Sequence, residues 1–305
     1  MLSDDDDFRQ SIRRFARSDV AEGRMPEFRP EQWVSLADLG ALALGTSTGG
    51  GTATDIAGCM EELGAAGFVG PLIETIIAVH ALGEHESLDI MSGKEIASVT
   101  WDPTIVPWGN VAEVVILFED NFAAHHCVAD RVHELHTLGG DPWASATLRI
   151  VASLGEKQRA VEFGDIAIAG YLVGAGLRVL ELAAAYARDR SQFGQRIGDY
   201  QAVSHPLAET YARLHAARDL LGVAASADMP VAPSVGQQSA RARLLAAEAA
   251  VCAAEVAMQV HGGMGFVADT LLAHLSKRIR HVSLLGQPQW LIERRALPNL
   301  ETLAD

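Results

Sequence analysis

The sequence is poor in cysteine and in aromatic residues, and these absences exclude several classes of protein. It has three cysteines in 305 residues, Cys59, Cys127 and Cys252, which are too far apart to form a metal-binding spacing. Residues 1–7 are acidic, whereas a secretory leader begins with basic residues. Because the cysteine count is also odd, we expect reduced thiols and a cytoplasmic location rather than a disulfide framework.

The chain also lacks an excess of positive charge and a long uninterrupted apolar run. Its formal net charge is -15, which argues against nucleic acid or an anionic membrane as a partner. The most apolar run, residues 166–177, ends before Arg178 and Glu181 and is too short to span a bilayer. We therefore expect neither a nucleic-acid-binding protein nor a membrane protein.

Apolar periodicity predicts helices at both ends of the chain and short strands in the middle. The predicted helices are about 3–15, 30–39, 55–65, 71–84, 158–188, 199–227, 234–261, 269–280 and 287–297. The predicted strands are 97–101, 111–118, 123–128, 132–137 and 148–153. The prediction is a mainly α fold with a small β region, divided into an N-terminal helical domain (1–94), a reduced β domain (95–156) and a C-terminal four-helix bundle (157–305).

A basic segment with two glycines, residues 188–201, connects two long predicted helices. Its arginines and Gln192 provide directed donors, Phe193 provides a flat face, and Gly194 and Gly198 allow the backbone to turn. This composition suits an anionic ligand. On spacing alone, a plain helix connection whose arginines cap the preceding carbonyl groups is favoured.

Two motifs in the second half of the chain decide between these interpretations. They are Arg190-x-Gln192-Phe193-Gly194 with Gly198-x-Tyr200-Gln201, and Gln259-Val260-His261-Gly262-Gly263-Met264-Gly265-Phe266. Together they resemble the flavin-contacting motifs of the acyl-CoA dehydrogenase family. A weaker match follows the order of the family's N-terminal helical domain, through Trp33, Gly40, 49–51 and 61–64. The resemblance covers most of the chain and implies an acyl-CoA dehydrogenase-like fold.

The resemblance implies FAD as the cofactor, because no ordinary side chain accepts a hydride. In the family, the helical bundle supplies half of each flavin site to a neighbouring subunit. Arg190 would pair with the diphosphate, and Gln192 and Phe193 would lie near the adenosine half. Gln259, Gly262 and Gly263 would line the same dinucleotide. Without the family, the two glycines would be an ordinary left-handed helix stop, and His261 would be a packed or capping residue.

The two family positions for the catalytic base carry no carboxylate in this chain. Leu285 occupies the position of the usual glutamate, which precedes a glycine in the C-terminal segment. Gly164 occupies the alternative position near the start of the helix that leads to Arg190. Asp165 and Glu162 are nearby and could serve as a base if the helix start shifts. Asp165 also suits a helix cap.

Two further features concern where the ligands would lie. Family members carry a larger β domain, which contributes threonine, serine and tryptophan contacts to the flavin ring, and the motifs of that segment are not found here. Ala167, Gly170 and Gly174 form a smooth helical stripe that could receive either another helix or a bulky, ring-bearing acyl group. A coenzyme A thioester would in addition need a locally basic entrance.

Three functional hypotheses follow. The first is a subunit that resembles the base-less partner in heteromeric actinobacterial steroid-degrading acyl-CoA dehydrogenases, and that shares FAD in a heterotetramer with a second family chain. That hypothesis implies an acyl-CoA substrate, with a steroid side-chain thioester as one example, and an electron-transfer flavoprotein or another acceptor. The second is a self-sufficient homomeric dehydrogenase that uses Asp165 or Glu162 as its base. The third is a scaffold or binding subunit with no redox role.

Overall fold

A computed structural model of the chain describes residues 4–18, 25–226 and 235–297. Within these residues the order of elements begins with five helices, continues with five strands, and returns to helices. The elements are α1 Asp4–Ala16, α2 Pro30–Asp38, α3 Ala53–Ala66, α4 Leu72–Leu82, α5 Leu88–Met91, β1 Ala97–Thr100, β2 Ile105–Val106, β3 Val114–Phe118, β4 Ala123–Leu135, β5 Trp143–Glu156, α6 Gln158–Asp189, β6 Ser191–Gln192, β7 Gln195–Arg196, α7 Gln201–Ala225, α8 Val235–His261, α9 Leu271–Ser283 and α10 Gln289–Ala296. The predicted mainly α fold with a small β region is confirmed, while the division into three domains stays a prediction.

The central sheet has the strand order β1-β3-β4-β5-β2. Strand β1 runs parallel to β3, and the other neighbours are antiparallel. The two strands predicted over 123–128 and 132–137 are one strand, β4, whose register with β5 shifts between Asp130 and His133. Arg131 has a positive φ of 52° at this point. Such a bulge inserts residues that break the alternation of side chains, so the sequence pattern suggested two strands.

Local capping explains where α3 begins. Thr52 and Asp55 form a capping box at the start of α3, with the Thr52 N–H donating to Asp55 Oδ2 at 2.6 Å. This pairing satisfies backbone donors that the first helical turn leaves free. Gly67, at φ 70°, ends the same helix. From the sequence alone, the Ser3 side chain is expected to cap α1, but Ser3 lies outside the described residues.

Helix α6 is the centre of the fold, and its small residues allow α3 to pack against it closely. A Cβ atom at Gly174 would lie 1.9 Å from the Glu61 carbonyl oxygen, and one at Gly170 would lie 2.7 Å from that of Ala57. On the opposing helix, a Cβ at Gly64 would lie 2.0 Å from the Tyr171 carbonyl oxygen. The stripe therefore receives a neighbouring helix. The alternative interpretation, a surface for a bulky acyl group, is wrong because α3 already occupies that space.

By length and composition alone, α6 and the stretch Gly236–Phe266 could each cross a membrane. Of the apolar window in α6, 78% is buried inside the fold, as in the core helix of a folded domain. The corresponding window in Gly236–Phe266 is 33% buried. The exposed positions of α8 are polar, and its apolar residues are buried or half-buried.

A buried ion pair attaches the sheet to the bundle. Asp141, in the connection between β4 and β5, accepts a hydrogen bond from Arg278 Nη1 on α9. His281 Nε2 lies 2.5 Å from the other Asp141 carboxylate oxygen. Burial alone would raise the pKa of Asp141, but Arg278 and His281 together hold it below its ordinary value. This contact sets the position of the sheet relative to α9.

The close crossing of α3 and α6 predicts a steep cost for one added methyl group. Gly174→Ala is expected to lower the free energy of unfolding by about 1–3 kcal/mol or more, because the new Cβ meets a backbone oxygen that cannot move independently. The measurement is urea unfolding. Gly222→Ala is the matched control, because a Cβ atom at this position would meet no atom within 4 Å. This substitution is expected to stabilise α7 by roughly 0.5–1 kcal/mol. Equal stabilities for the two variants would contradict the predicted crossing.

Candidate functional site

The segment 188–201, called the elbow from here on, contains a tight hairpin over residues 191–196. Ser191 pairs with Arg196 and Gln192 with Gln195. The two turn residues, Phe193 and Gly194, have φ of 53° and 88°, as in the type I′ turns that join two-residue hairpins. The turn holds Phe193 away from the protein, where it is 94% exposed. The elbow therefore forms a two-residue β-hairpin turn rather than a simple helix cap.

The glycine motif ends the neighbouring long helix. Helix α8 stops at His261, and a 3-10 turn covers Gly262–Phe266. Gly262 has a φ of 58°, so the left-handed stop predicted for this position is present. A Cβ at Gly262 or Gly263 would meet no atom within 4 Å. The backbone here is open to approach by a ligand.

One aromatic contact brings the two motifs to the same end of the bundle. The rings of Tyr186 and His261 stack with centroids 4.4 Å apart and an interplanar angle of 22°. Tyr186 lies one helical turn before Arg190, and His261 directly precedes Gly262. His261 Nδ1 also lies 2.8 Å from the Ala257 carbonyl oxygen. As expected from the sequence, His261 is a packed residue.

The polar groups of both motifs face solvent at this end of the bundle. Arg190, Gln192 and Gln259 are all exposed. The Arg190 guanidinium forms no ion pair within the described part of the chain, and the Gln192 amide donates only to the Ser191 carbonyl oxygen, at 2.8 Å. A free guanidinium at the same end of the bundle as an open glycine turn is suited to bind a phosphate group through paired charged hydrogen bonds.

A second feature is a cleft of about 1160 Å³ between the sheet, α8 and the connector from α9 to α10. Its lining includes Thr100, Trp101, Trp143, Arg243 and Gln287. The sequence reasoning assigned no role to these residues. Two of these residues lie next to features that the sequence analysis had already noted, because Trp101 ends a predicted strand and Gln287 lies two positions after Leu285. Trp143 and Arg243 have no such neighbouring feature and reach the cleft only through the tertiary fold.

Comparison with known proteins decides the family. The family model "Acyl-CoA dehydrogenase, C-terminal domain" matches residues 157–286. The acyl-CoA dehydrogenase IpdE2 of Mycolicibacterium smegmatis is 30% identical over 285 residues, which cover 88% of this chain and 87% of that protein. The chain belongs to the acyl-CoA dehydrogenase family. The two motifs of the elbow and the glycine turn, and the departures from the family, can therefore be interpreted together.

Solved structures of family members have the same fold along the whole chain. The ChsE4-ChsE5 complex of Mycobacterium tuberculosis includes a chain with a TM-score of 0.82 and 22% identity, covering 99% of this chain and 98% of its own. Butyryl-CoA dehydrogenase of Megasphaera elsdenii has a TM-score of 0.81 and 16% identity, covering 99% of both chains. At these identities the likeness concerns the fold alone.

The two family base positions are not only empty of carboxylate but closed by packing. The Leu285 side chain is 5% exposed and belongs to the main hydrophobic core, and its carbonyl oxygen accepts a hydrogen bond from Arg243. Gly286, which follows, has a φ of 76°. At Gly164, a Cβ would lie 2.5 Å from the Ile77 side chain. Neither Leu285 nor Gly164 is among the residues that line the cleft.

Asp165 lies in a buried ion cluster. It is 0% exposed, and its two oxygens contact Arg243 Nη1 at 3.0 Å and Arg295 Nη2 at 2.5 Å. Ser239 Oγ donates to it at 3.2 Å. Burial lowers the pKa of Arg243, and Asp165 opposes that change. Both carboxylate oxygens are thus engaged, and Asp165 is not among the residues that line the cleft.

The capping interpretation of Asp165 is wrong, because α6 begins at Gln158 and Asp165 lies two turns inside the helix. Glu162 lies in the same part of α6 and is 6% exposed. It accepts hydrogen bonds from Gln158 Nε2 at 2.9 Å and Arg159 Nη1 at 3.3 Å. Glu162 does not line the cleft either, so the structure brings neither candidate base to this cleft.

The carboxylates that do line the cleft lie on its rim and are exposed. They are Asp102, Glu248, Glu255 and Glu293. Hydrogen bonds from Thr104 hold the pKa of Asp102 below its ordinary value, and Glu255 pairs with Arg280 at 2.7 Å. Arg213 also lines the cleft and lies 3.5 Å from Glu248. With four carboxylates and this one exposed arginine, the rim does not provide the basic entrance expected for a coenzyme A thioester.

The ion cluster predicts that Asp165 matters for stability. Asp165→Asn keeps the shape of the side chain but leaves two buried guanidinium groups without a counter-charge. The free energy of unfolding is expected to fall by about 3–5 kcal/mol, measured by urea unfolding. Asp130→Asn is the control, because Asp130 pairs with Arg149 at 3.7 Å on the surface and is expected to contribute less than about 1 kcal/mol. Similar small effects for both variants would argue against the buried pair.

Proposed function

We propose that this chain is one subunit of an FAD-dependent acyl-CoA dehydrogenase and shares its flavin site with a second, unlike family chain. The reaction is the α,β-dehydrogenation of an acyl-CoA thioester, with steroid side-chain thioesters as the substrate class. The partner supplies the catalytic glutamate, and the two chains form a heterotetramer. The observation that supports this assignment is an intact elbow in a chain whose two family base positions, Leu285 and Gly164, lack a carboxylate and are packed in the interior.

In this proposal the elbow and the glycine turn have separate roles. Arg190 holds the diphosphate of FAD through charged hydrogen bonds. Gln192 and Phe193 lie beside the adenosine half, and the Gly262-Gly263 turn lets the backbone approach the dinucleotide, with Gln259 alongside. When bound, FAD supplies the hydride acceptor that no side chain provides. The chain's own part in the reaction is binding and orientation.

Apolar surface at the same end of the bundle supports a partner chain. Phe193, Met264 and Phe266 are 94%, 58% and 74% exposed, and they lie in the elbow and in the turn after α8. Exposed apolar patches of this kind mark interaction surfaces. The solved ChsE4-ChsE5 structure is a complex of two chains, which favours the heteromeric form of the proposal.

The flavin role predicts a specific loss at Arg190. Arg190→Ala, in the chain co-purified with a family chain encoded beside it, is expected to weaken FAD binding roughly 10- to 150-fold, the effect of losing a hydrogen bond to a charged group. Flavin absorbance after gel filtration and equilibrium titration measure the loss. Arg188→Ala is the matched control, an exposed arginine two residues earlier that is expected to leave FAD binding unchanged.

The outcomes separate the three hypotheses for this chain. Full flavin occupancy and thioester oxidation by the chain alone would contradict the shared site. An absence of flavin absorbance from every assembly would instead favour a scaffold or binding subunit with no redox role. If the complex binds flavin and its Arg190→Ala variant loses it, the result supports the proposal.

The self-sufficient alternative predicts that a carboxylate of this chain is the base. Glu162→Gln is expected to leave thioester oxidation by the complex within about twofold, whereas the loss of a general base costs roughly 10²- to 10⁴-fold. Steady-state oxidation of an acyl-CoA measures the difference. Asp165→Asn is tested in the same assay at a temperature where the variant is folded. A large loss in turnover with FAD still bound, for either variant, would favour the homomeric enzyme.

A further inference from the structure

The segment 136–142, called the strap from here on, joins β4 to β5 and lies against α9. A Cβ atom at Gly139 would lie 2.7 Å from the His281 ring and 3.0 Å from Arg278 Nη1, so the backbone of the strap rests directly on these two side chains. Within the strap, all of which the structure describes, Asp141 is the only buried residue. The strap is therefore attached to the bundle mainly through one carboxylate.

A cavity of about 400 Å³ lies between the strap and α9. It is lined by Thr137, Leu138, Trp143, Arg280, His281, Ser283 and Leu284. Leu138 is 59% exposed, so apolar packing contributes little to holding the strap in place. Segments with few buried apolar contacts open locally at a lower free energy than the fold as a whole. The contacts of Asp141 with Arg278 and His281 thus decide whether the strap stays attached.

A second buried carboxyl group lies near the same arginine. Glu74 of α4 is 4% exposed, and the Trp108 indole N–H donates to it. Burial raises the pKa of Glu74 to about 8, and the charge of Asp141 adds to that rise, whereas Arg278 opposes it. Glu74 therefore holds a proton at neutral pH, while Arg278 and His281 keep Asp141 charged despite its burial.

The other ionisable groups around Glu74 come from every element that packs near α4. Strands β1 and β3 carry none. The exposed groups are Glu84, His85, Glu86 and Asp89, the last paired with Lys94. The remaining groups are Arg159 and Tyr171 of α6, His80 of α4, and His274 and His281 of α9.

Most of these groups do not change charge near neutral pH. Burial lowers the pKa of both His80 and His274, so these rings are neutral above about pH 6.5. Burial raises the pKa of the Tyr171 hydroxyl, which therefore keeps its proton. Glu74 and His281 remain as the groups whose protonation can affect the contacts of Asp141.

We propose that the strap opens and closes with the protonation of Glu74: it is closed while Asp141 is charged and Glu74 holds a proton, and it opens when Glu74 passes that proton to the solvent. A charged Glu74 competes with Asp141 for Arg278 and adds a buried negative charge that is not balanced. The contacts of Asp141 weaken, and the strap separates from α9. This inference goes beyond the proposed function, because it concerns how the sheet is attached to the bundle and requires no flavin.

Opening of the strap increases with pH, because the open state binds the Glu74 proton less tightly than the closed state. In the closed state Glu74 holds its proton up to about pH 8, whereas a solvated glutamic acid loses it near pH 4.3. The stability of the closed state is therefore complete at acidic pH, falls as the pH rises toward about 8, and is constant above that value. One proton changes such an equilibrium by at most about tenfold per pH unit.

The test is hydrogen–deuterium exchange of the full chain at about pH 6.5 and about pH 8, corrected for the intrinsic exchange rate. The peptide 134–144 reports on the strap, because it contains the last residue pairs of the ladder, Glu134 with Ala144 and Leu135 with Trp143. Glu74→Gln keeps the shape of the side chain and reproduces its neutral form. Glu86→Gln is the matched control, since Glu86 is an exposed carboxylate shortly after α4.

In the wild type and in Glu86→Gln, corrected exchange of this peptide is expected to rise roughly 10- to 30-fold between the two pH values, the effect of one proton over about 1.5 pH units. Glu74→Gln is expected to keep the slow exchange of the lower pH at both values. A second variant, Asp141→Asn, removes the attachment and is expected to exchange rapidly at both.

Four results would overturn the inference. An unchanged pH dependence in Glu74→Gln would assign the effect to His281 instead. Protection of the strap equal to that of α6 would mean that it opens only when the whole fold does. A protected strap in Asp141→Asn would remove the attachment from Asp141. An unfolded Glu74→Gln would show that the closed state does not require a neutral group there. FAD retention in the Arg190 experiment is a separate readout, so either proposal can fail without the other.

Discussion

The buried contact between Asp165 and Arg243 is the interaction on which the second half of the molecule depends. Asp165 comes from α6 and Arg243 from α8, and the same guanidinium donates to the Leu285 carbonyl oxygen in the connector to α10. Arg295 of α10 closes the cluster on the other carboxylate oxygen. A buried charge is tolerated only when it is paired, so the cluster forces these four segments into one arrangement.

That arrangement explains why this chain has a ligand-binding end but no carboxylate at the positions where the family carries its base. The connector that carries a glutamate in most of the family is held here by its backbone, while Leu285 turns into the core. The carboxylate nearest to the alternative base position serves as the counter-charge of two arginines. At the far end of the same helices, Tyr186 and His261 keep the elbow and the glycine turn together and leave Arg190 exposed. The fold thus maintains a ligand-binding end without maintaining a base.

Several parts of the fold could be predicted from the sequence because they depend on local patterns. Long apolar periodicities located the helices of the bundle, and the turn residues Phe193 and Gly194 lie in a motif that the sequence already set apart. Other parts could not. The bulge at Arg131 merged two predicted strands into β4, and Asp165, which resembled a cap, lies inside α6. In both cases a distant partner, strand β5 or helix α8, overrides the local signal.

By itself the sequence determined the mainly α fold, the resemblance to the acyl-CoA dehydrogenase family, and the absence of a carboxylate at both expected base positions. Periodicity, motif spacing and residue identity are properties of neighbouring residues, so they can be recognised from the sequence alone. Only the tertiary structure decided that α3 fills the glycine stripe of α6, that Asp165 is neutralised by two arginines, and that Glu74 and Asp141 are buried near Arg278. These facts join residues far apart in the chain, and burial and pairing exist only once the helices and the sheet have packed.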